Sequence, residues 1–140
     1  MKIIGFNYTK LHAERPFKLE SGTKITANIA FTEIEKENSD MIKTDSVFKI
    51  TFKYNVDYEK TDVHVACEGI LYLTLDPEKA KEIIKKWKKK EIDEDLRIYL
   101  SRYIWRKCTL KALQLEDELG VPTHIPMPQI SFSDSKSQNK

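Results

Sequence analysis

Apolar and polar positions alternate with period two in four stretches of the first half of the chain, the signature of strands with one packed face. In KIIGFNYT the residues Ile4, Phe6 and Tyr8 share a face, and in TKITANIAFTE so do Ile25, Ala27, Ile29 and Phe31. The third stretch, SVFKITFKYNVDY, puts Phe48, Ile50, Phe52, Tyr54, Val56 and Tyr58 on one side. The fourth, DVHVACEGILYLTL, does the same with Val63, Val65, Cys67, Gly69, Leu71, Leu73 and Leu75. One apolar face per strand predicts an antiparallel meander, packed on one side and wet on the other. Glu59 to Asp62 has the length of a hairpin loop between the third and fourth strands. These strands are longer than the usual five or six residues, so the sheet has long edges that call for cover or a partner.

At Asp76 the period changes. Asp76-Pro77-Glu78 combines an N-cap carboxylate, a proline at the first helical position and an acid in the first turn. Ala80, Ile83, Ile84 and Trp87 follow at helical spacing, which predicts a short amphipathic helix. A longer helix is expected from near Asp93 or Asp95 to about Glu118, with Gly120 as its cap. The whole predicts an α+β fold: a four-stranded antiparallel sheet followed by a short and a long helix, one domain over residues 1–132 and a polar tail over 133–140.

The long helix is apolar on two sides. Leu96, Tyr99, Leu100, Tyr103 and Leu110 form a stripe able to lie on the sheet, while Ile98, Trp105 and Ala112 recur by sevens on the opposite face. One sheet covers one face, so the second is expected to meet another subunit. The alternative is that the short helix or the segment after the long one folds back over Trp105.

Composition narrows the chemistry. The 140 residues carry a net charge of only +2, so the whole-molecule field favours neither nucleic acid nor an anionic membrane. The first ten residues hold charges and no long apolar run, which predicts a cytoplasmic address, and Cys67 and Cys108 then read as reduced structural thiols. His12, His64 and His124 are scattered without metal-ligand spacing, and none of the four glycines sits in a phosphate-cradling loop. His64 and Glu68 share a strand face but stand about 13 Å apart along it, too far for direct proton transfer. No catalytic residue, metal or cofactor is therefore expected.

Two segments remain. From Asp76 to Lys90 there are seven lysines against three acids. Lys85, Lys86, Trp87, Lys88, Lys89 and Lys90 are either the wet side of a helix or, as an alternative function, a nucleic-acid surface with a stacking platform within 79–90. The other segment is LGVPTHIPMPQISF, where Pro122, Pro126 and Pro128 hold the chain extended and leave apolar residues between them.

The succession of four long strands, a charged connection, a long helix and an apolar proline-bearing segment resembles the SecB family of export chaperones. FNYTKLHAERP is similar to the family's first strand and VACEGILYLTL to its fourth, and IYLSRYIWRKCTLKAL followed by VPTHIPMPQISF is similar to its main helix and proline loop. The resemblance implies a homotetramer built as a dimer of dimers, with the long helices between sheets. It also implies ATP-independent holding of unfolded, extended polypeptide in apolar grooves, without catalysis. Clients pass to the SecA motor in export, and SecB-like relatives protect antitoxins. The implied groove is walled by the long helix, through Tyr99 and Tyr103, and by Val121, Ile125, Met127, Ile130 and Phe132. Ile98, Trp105 and Ala112 fall to the oligomer interface. The family's acidic docking surface has no counterpart in a chain of this charge, and the lysine-rich helix has none in the family.

Overall fold

The computed structural model describes residues 1–20, 22–37, 46–126, 128 and 131; the expected polar tail at 133–140 lies outside them. The elements are β1 (Lys2–Glu14), β2 (Ile25–Glu37), β3 (Ser46–Tyr58), β4 (His64–Leu75), α1 (Pro77–Trp87) and α2 (Glu94–Leu119). The fold is α+β, one antiparallel four-stranded sheet followed by a short and a long helix, as the alternation and the helical spacing predict.

The strands do not form a simple meander. Their order is β1-β4-β3-β2, so β1 pairs with β4 and the chain then crosses to the opposite edge to begin β2. The physical reason lies in the connections. Residues 15–24 separate β1 from β2, too many for a tight hairpin, whereas the turn from β3 to β4 is short. Both β1 and β2 are therefore edges.

β1 also departs from plain alternation. Bulges between Ile3 and Gly5 and between Tyr8 and Lys10 each insert one unpaired residue and shift the phase of everything beyond. Ile3, Phe6 and Tyr8 thus stand opposite Leu73, Leu71 and Gly69 on the packed side, while Leu11, opposite Cys67, is exposed. Ile4, expected beside Phe6 and Tyr8, is exposed instead.

The core face of β3 and β4 is as read from the sequence, with Phe48, Ile50, Phe52, Tyr54, Leu71 and Leu73 fully buried. Gly69 sits opposite both Phe52 and Tyr8. Its missing side chain lets the Phe52 ring cross β4 and stack on Phe6, with centroids 5.4 Å apart. A Cβ there would stand 2.7 Å from Phe52 Cζ and 2.5 Å from the Asn7 carbonyl oxygen. Gly69→Ala is accordingly expected to cost about 1–3 kcal/mol through overpacking, read as a lower urea midpoint; an unchanged midpoint would show that the ring and the backbone yield freely.

Both helices start on aspartate caps. Asp76 accepts from the Lys79 amide at 2.8 Å, and Asp93 from the Leu96 amide at 3.2 Å. Leu96, Leu100, Ile104 and Cys108 of α2 then pack on the sheet, and Cys108 and Cys67 are both buried, free thiols of the core.

Candidate functional site

Apart from Thr109, the buried residues of α2 recur every fourth position: Leu96, Leu100, Ile104, Cys108, Ala112 and Glu116. Each step of four overshoots a full turn by about 40°, so the buried row slants round the helix instead of keeping to one side. Its consequence is a correction. Ala112, expected on the outward face with Ile98 and Trp105, is 0% exposed in the protomer's own core, whereas Ile98 and Trp105 are 42% and 40% exposed. Tyr99 and Leu110, expected against the sheet, are exposed as well.

Near its start α2 therefore turns an apolar face outward beside β1. Between the two elements lies an open groove of about 640 Å³, with Met1 and Ile3 on the strand side and Ile98, Tyr99 and Tyr103 on the helix side. Tyr103 packs on Phe6, with centroids 5.6 Å apart, and the Lys107 ammonium stands 5.8 Å from the centre of each ring. These contacts fix its ring in place. Farther along, Arg15 at the end of β1 donates to the Leu119 carbonyl at 2.9 Å and closes the last turn of α2, which has no basic residue of its own. Helix and edge strand are thus tied at both ends of their shared length.

The groove is also charged. Asp95, Arg102 and Arg106 line it. Asp95 lies 3.9 Å from Lys79, while Arg102 and Arg106 have no ion-pair partner among the described residues.

The first residues of the proline segment, 121–125, lie on the other flank of α2. Gly120 is left-handed (φ 68°), its amide reaches the Asp117 carbonyl and the Val121 amide reaches that of Glu116, each at 3.1 Å. This is the Schellman ending, in which the residue after the glycine folds back onto the helix. Val121 is therefore 6% exposed and part of the core, not of an open wall. Ile125 is half-buried, and Met127, Ile130 and Phe132 lie outside the described residues. The described residues expected to wall one groove are separated: Tyr99 and Tyr103 face β1, whereas residues 121–125 lie toward β3.

A buried polar chain that the sequence reading missed holds the segment there. Glu116, 0% exposed, accepts from the His124 amide at 2.9 Å and pairs with His124 Nδ1 at 2.7 Å. His124 Nε2 meets the Tyr54 hydroxyl at 2.8 Å, which meets the Thr109 hydroxyl at 3.0 Å. The Tyr58 hydroxyl donates to the Pro122 carbonyl. Nδ1–H donating to the carboxylate, with Nε2 accepting from Tyr54, satisfies every member. Trp105 packs edgewise on both Tyr54 and His124, so the segment does fold back over one side of it. The signal available in sequence was an acid four residues before the capping glycine and a histidine four after it.

Carboxylate, imidazole and hydroxyl stand here in the order of a nucleophilic triad. Burial, however, pushes the Tyr54 hydroxyl up to about 12 and leaves the side chain with no exposure. Such a group is neither ionised nor reachable at neutral pH. The chain acts as a latch.

The lysine-rich stretch is partly structural too. Lys79 and Lys86, seven apart on one face of α1, each place an ammonium 3.1 Å from Asp93. Burial alone would raise the Asp93 carboxyl, but the two ammonium groups and the Leu96 amide outweigh it and hold it below the usual carboxylate range. Trp87 packs partly on the core, with the Lys90 ammonium 5.1 Å from its ring centre, so it is not the free stacking platform that a nucleic-acid reading needs. Among the described residues no three His, Cys, Asp or Glu side chains are grouped to hold a metal ion, and no helix is long and apolar enough to cross a membrane.

No protein-family model and no curated protein matches this chain. Among solved structures it is similar to the Mycobacterium tuberculosis Rv1957 SecB-like chaperone, determined in complex with a ChAD peptide from the Rv1956 HigA1 antitoxin. That match covers 93% of this chain and 90% of the other, at 10% identity and a TM-score of 0.44.

Proposed function

We propose that the protein holds extended, unfolded polypeptide in the groove between α2 and β1, as an ATP-independent chaperone of SecB type. The observation that carries this reading is an apolar and aromatic cleft lying alongside a 13-residue edge strand. Among the described residues β1 pairs only with β4, so no further strand of the sheet lies beyond the strand side of the cleft. Met1, Ile98 and Tyr99 supply the apolar contact area. No bond is made or broken, and release follows from the small size of each contact. Export and the protection of an antitoxin are the cellular settings that the family resemblance suggests for such binding.

Light scattering tests it. An equimolar amount of the protein is expected to suppress aggregation of a thermally unfolded model enzyme, and Ile98→Asp with Tyr99→Asp is expected to abolish at least about half of that effect by desolvating two charges against the client. Undiminished aggregation with the unsubstituted protein overturns the proposal. The homotetramer belongs to the same reading, with Trp105 and Leu110 as outward apolar residues of α2 beyond the groove. A monomeric mass in solution would remove the assembly but not the groove.

A further inference from the structure

The groove is not neutral, and its charge points to a class of client. We infer that it selects extended segments in which acidic side chains alternate with apolar ones, an inference that rests on the polypeptide-holding role proposed above. Arg102 and Arg106 line the helix side, are exposed, and lack an ion-pair partner among the described residues. The acid beside them, Asp95, is shared with Lys79. Two guanidinium groups against one carboxylate leave the local balance positive, although the molecule as a whole is close to neutral.

Spacing sharpens the match. Arg102 and Arg106 are one helical turn apart, about 6 Å along the axis. Alternate residues of an extended chain are about 6.6 Å apart on one side. A carboxylate at each of two alternate positions meets both guanidinium groups in register, each able to accept a forked pair of N–H bonds. The intervening residue faces the opposite way, toward the strand-side wall, where Met1 and Ile3 favour an apolar side chain. Neighbouring aromatic or aliphatic residues fall against Ile98 and Tyr99. A single-stranded nucleic acid also carries regularly spaced anions. Tyr99 and Tyr103 offer rings to its bases, but Met1, Ile3 and Ile98 make the rest of the groove aliphatic surface that favours apolar side chains.

The test uses the full chain and fluorescently labelled peptides of about twelve residues that share their apolar positions and carry Glu, Ser or Lys at the alternate ones. The Glu peptide is expected to bind about tenfold more tightly than the Lys peptide at low ionic strength, the gap closing toward about 1 M salt. Arg102→Glu together with Arg106→Glu is expected to reverse that order with an unchanged thermal midpoint, since both side chains are exposed. Equal binding of all three peptides overturns the charge selection and leaves polypeptide holding intact. Binding of none, with aggregation unsuppressed, removes both. Tighter binding of an oligothymidylate than of the Glu peptide would assign the arginines to nucleic acid and overturn the inference. So would a wild-type dimer that the arginine reversal dissociates and no peptide disrupts: a second copy would then fill the groove, with the alternating Glu33 and Glu35 of its β2 edge as the acids.

Discussion

Replacing Glu116 with alanine is expected to lower the stability of the fold by about 3–5 kcal/mol, because removing one member of a buried charged or polar pair leaves the other unsolvated. The carboxylate is fully buried and accepts both the amide and the ring of His124. Alanine would strand two donors in a closed site and release the chain after Gly120 from its hold on Tyr54. Glu116→Gln keeps one acceptor oxygen and is expected to cost only about 1–2 kcal/mol. Urea unfolding measures both, and amide exchange at Val121, Thr123, His124 and Ile125 reports the segment itself. A loss below about 1 kcal/mol for the alanine variant would mean that the latch does not hold the segment. The groove lies on the opposite flank of α2, so peptide binding by Glu116→Gln is expected to persist.

The second large effect is at Asp93. Asp93→Ala removes the N-cap of α2 and the acceptor of two lysines from α1, an expected loss of about 2–4 kcal/mol from a cap and charge-assisted hydrogen bonds together. Asp93→Asn keeps a capping oxygen and isolates the charge. The carboxyl is held below its ordinary range in the folded protein. Its contribution is therefore fully present above the unfolded pKa of about 4 and is lost as pH falls from there through the lower folded value. The difference in urea midpoint between wild type and Asp93→Asn is expected to shrink as pH falls below about 4. A difference of constant size down to pH ~2 would mean that the charge contributes nothing. The same pairing explains why the lysine-rich helix cannot be read as a uniform basic surface.

Much of this was legible in advance because it is local. Alternation in the third and fourth stretches placed Phe52, Tyr54, Cys67 and Leu71 in the core, where they are. Asp76-Pro77 began α1, and Gly120 ended α2 as a left-handed cap. Of the candidate site, Tyr99, Tyr103 and Ile98 do border one groove, although they were assigned to two different roles. Ala112 and Val121 were misplaced for separate reasons. The four-residue ridge rotates round the helix toward Ala112, and the Schellman ending folds Val121 inward. A bulge displaced Ile4, since one extra residue inverts every face beyond it.

The sequence by itself determined the type and extent of each element and the inner face of the central strands, because capping and periodicity act over a turn or a pleat. Only the tertiary structure decided that β1 joins β4, that α2 lies beside it with Arg102 and Arg106 unpaired among the described residues along an apolar cleft, and that His124 links Glu116 to Tyr54. Those pairings join residues as many as 104 positions apart, and the burial that makes them strong exists only once the layers have closed.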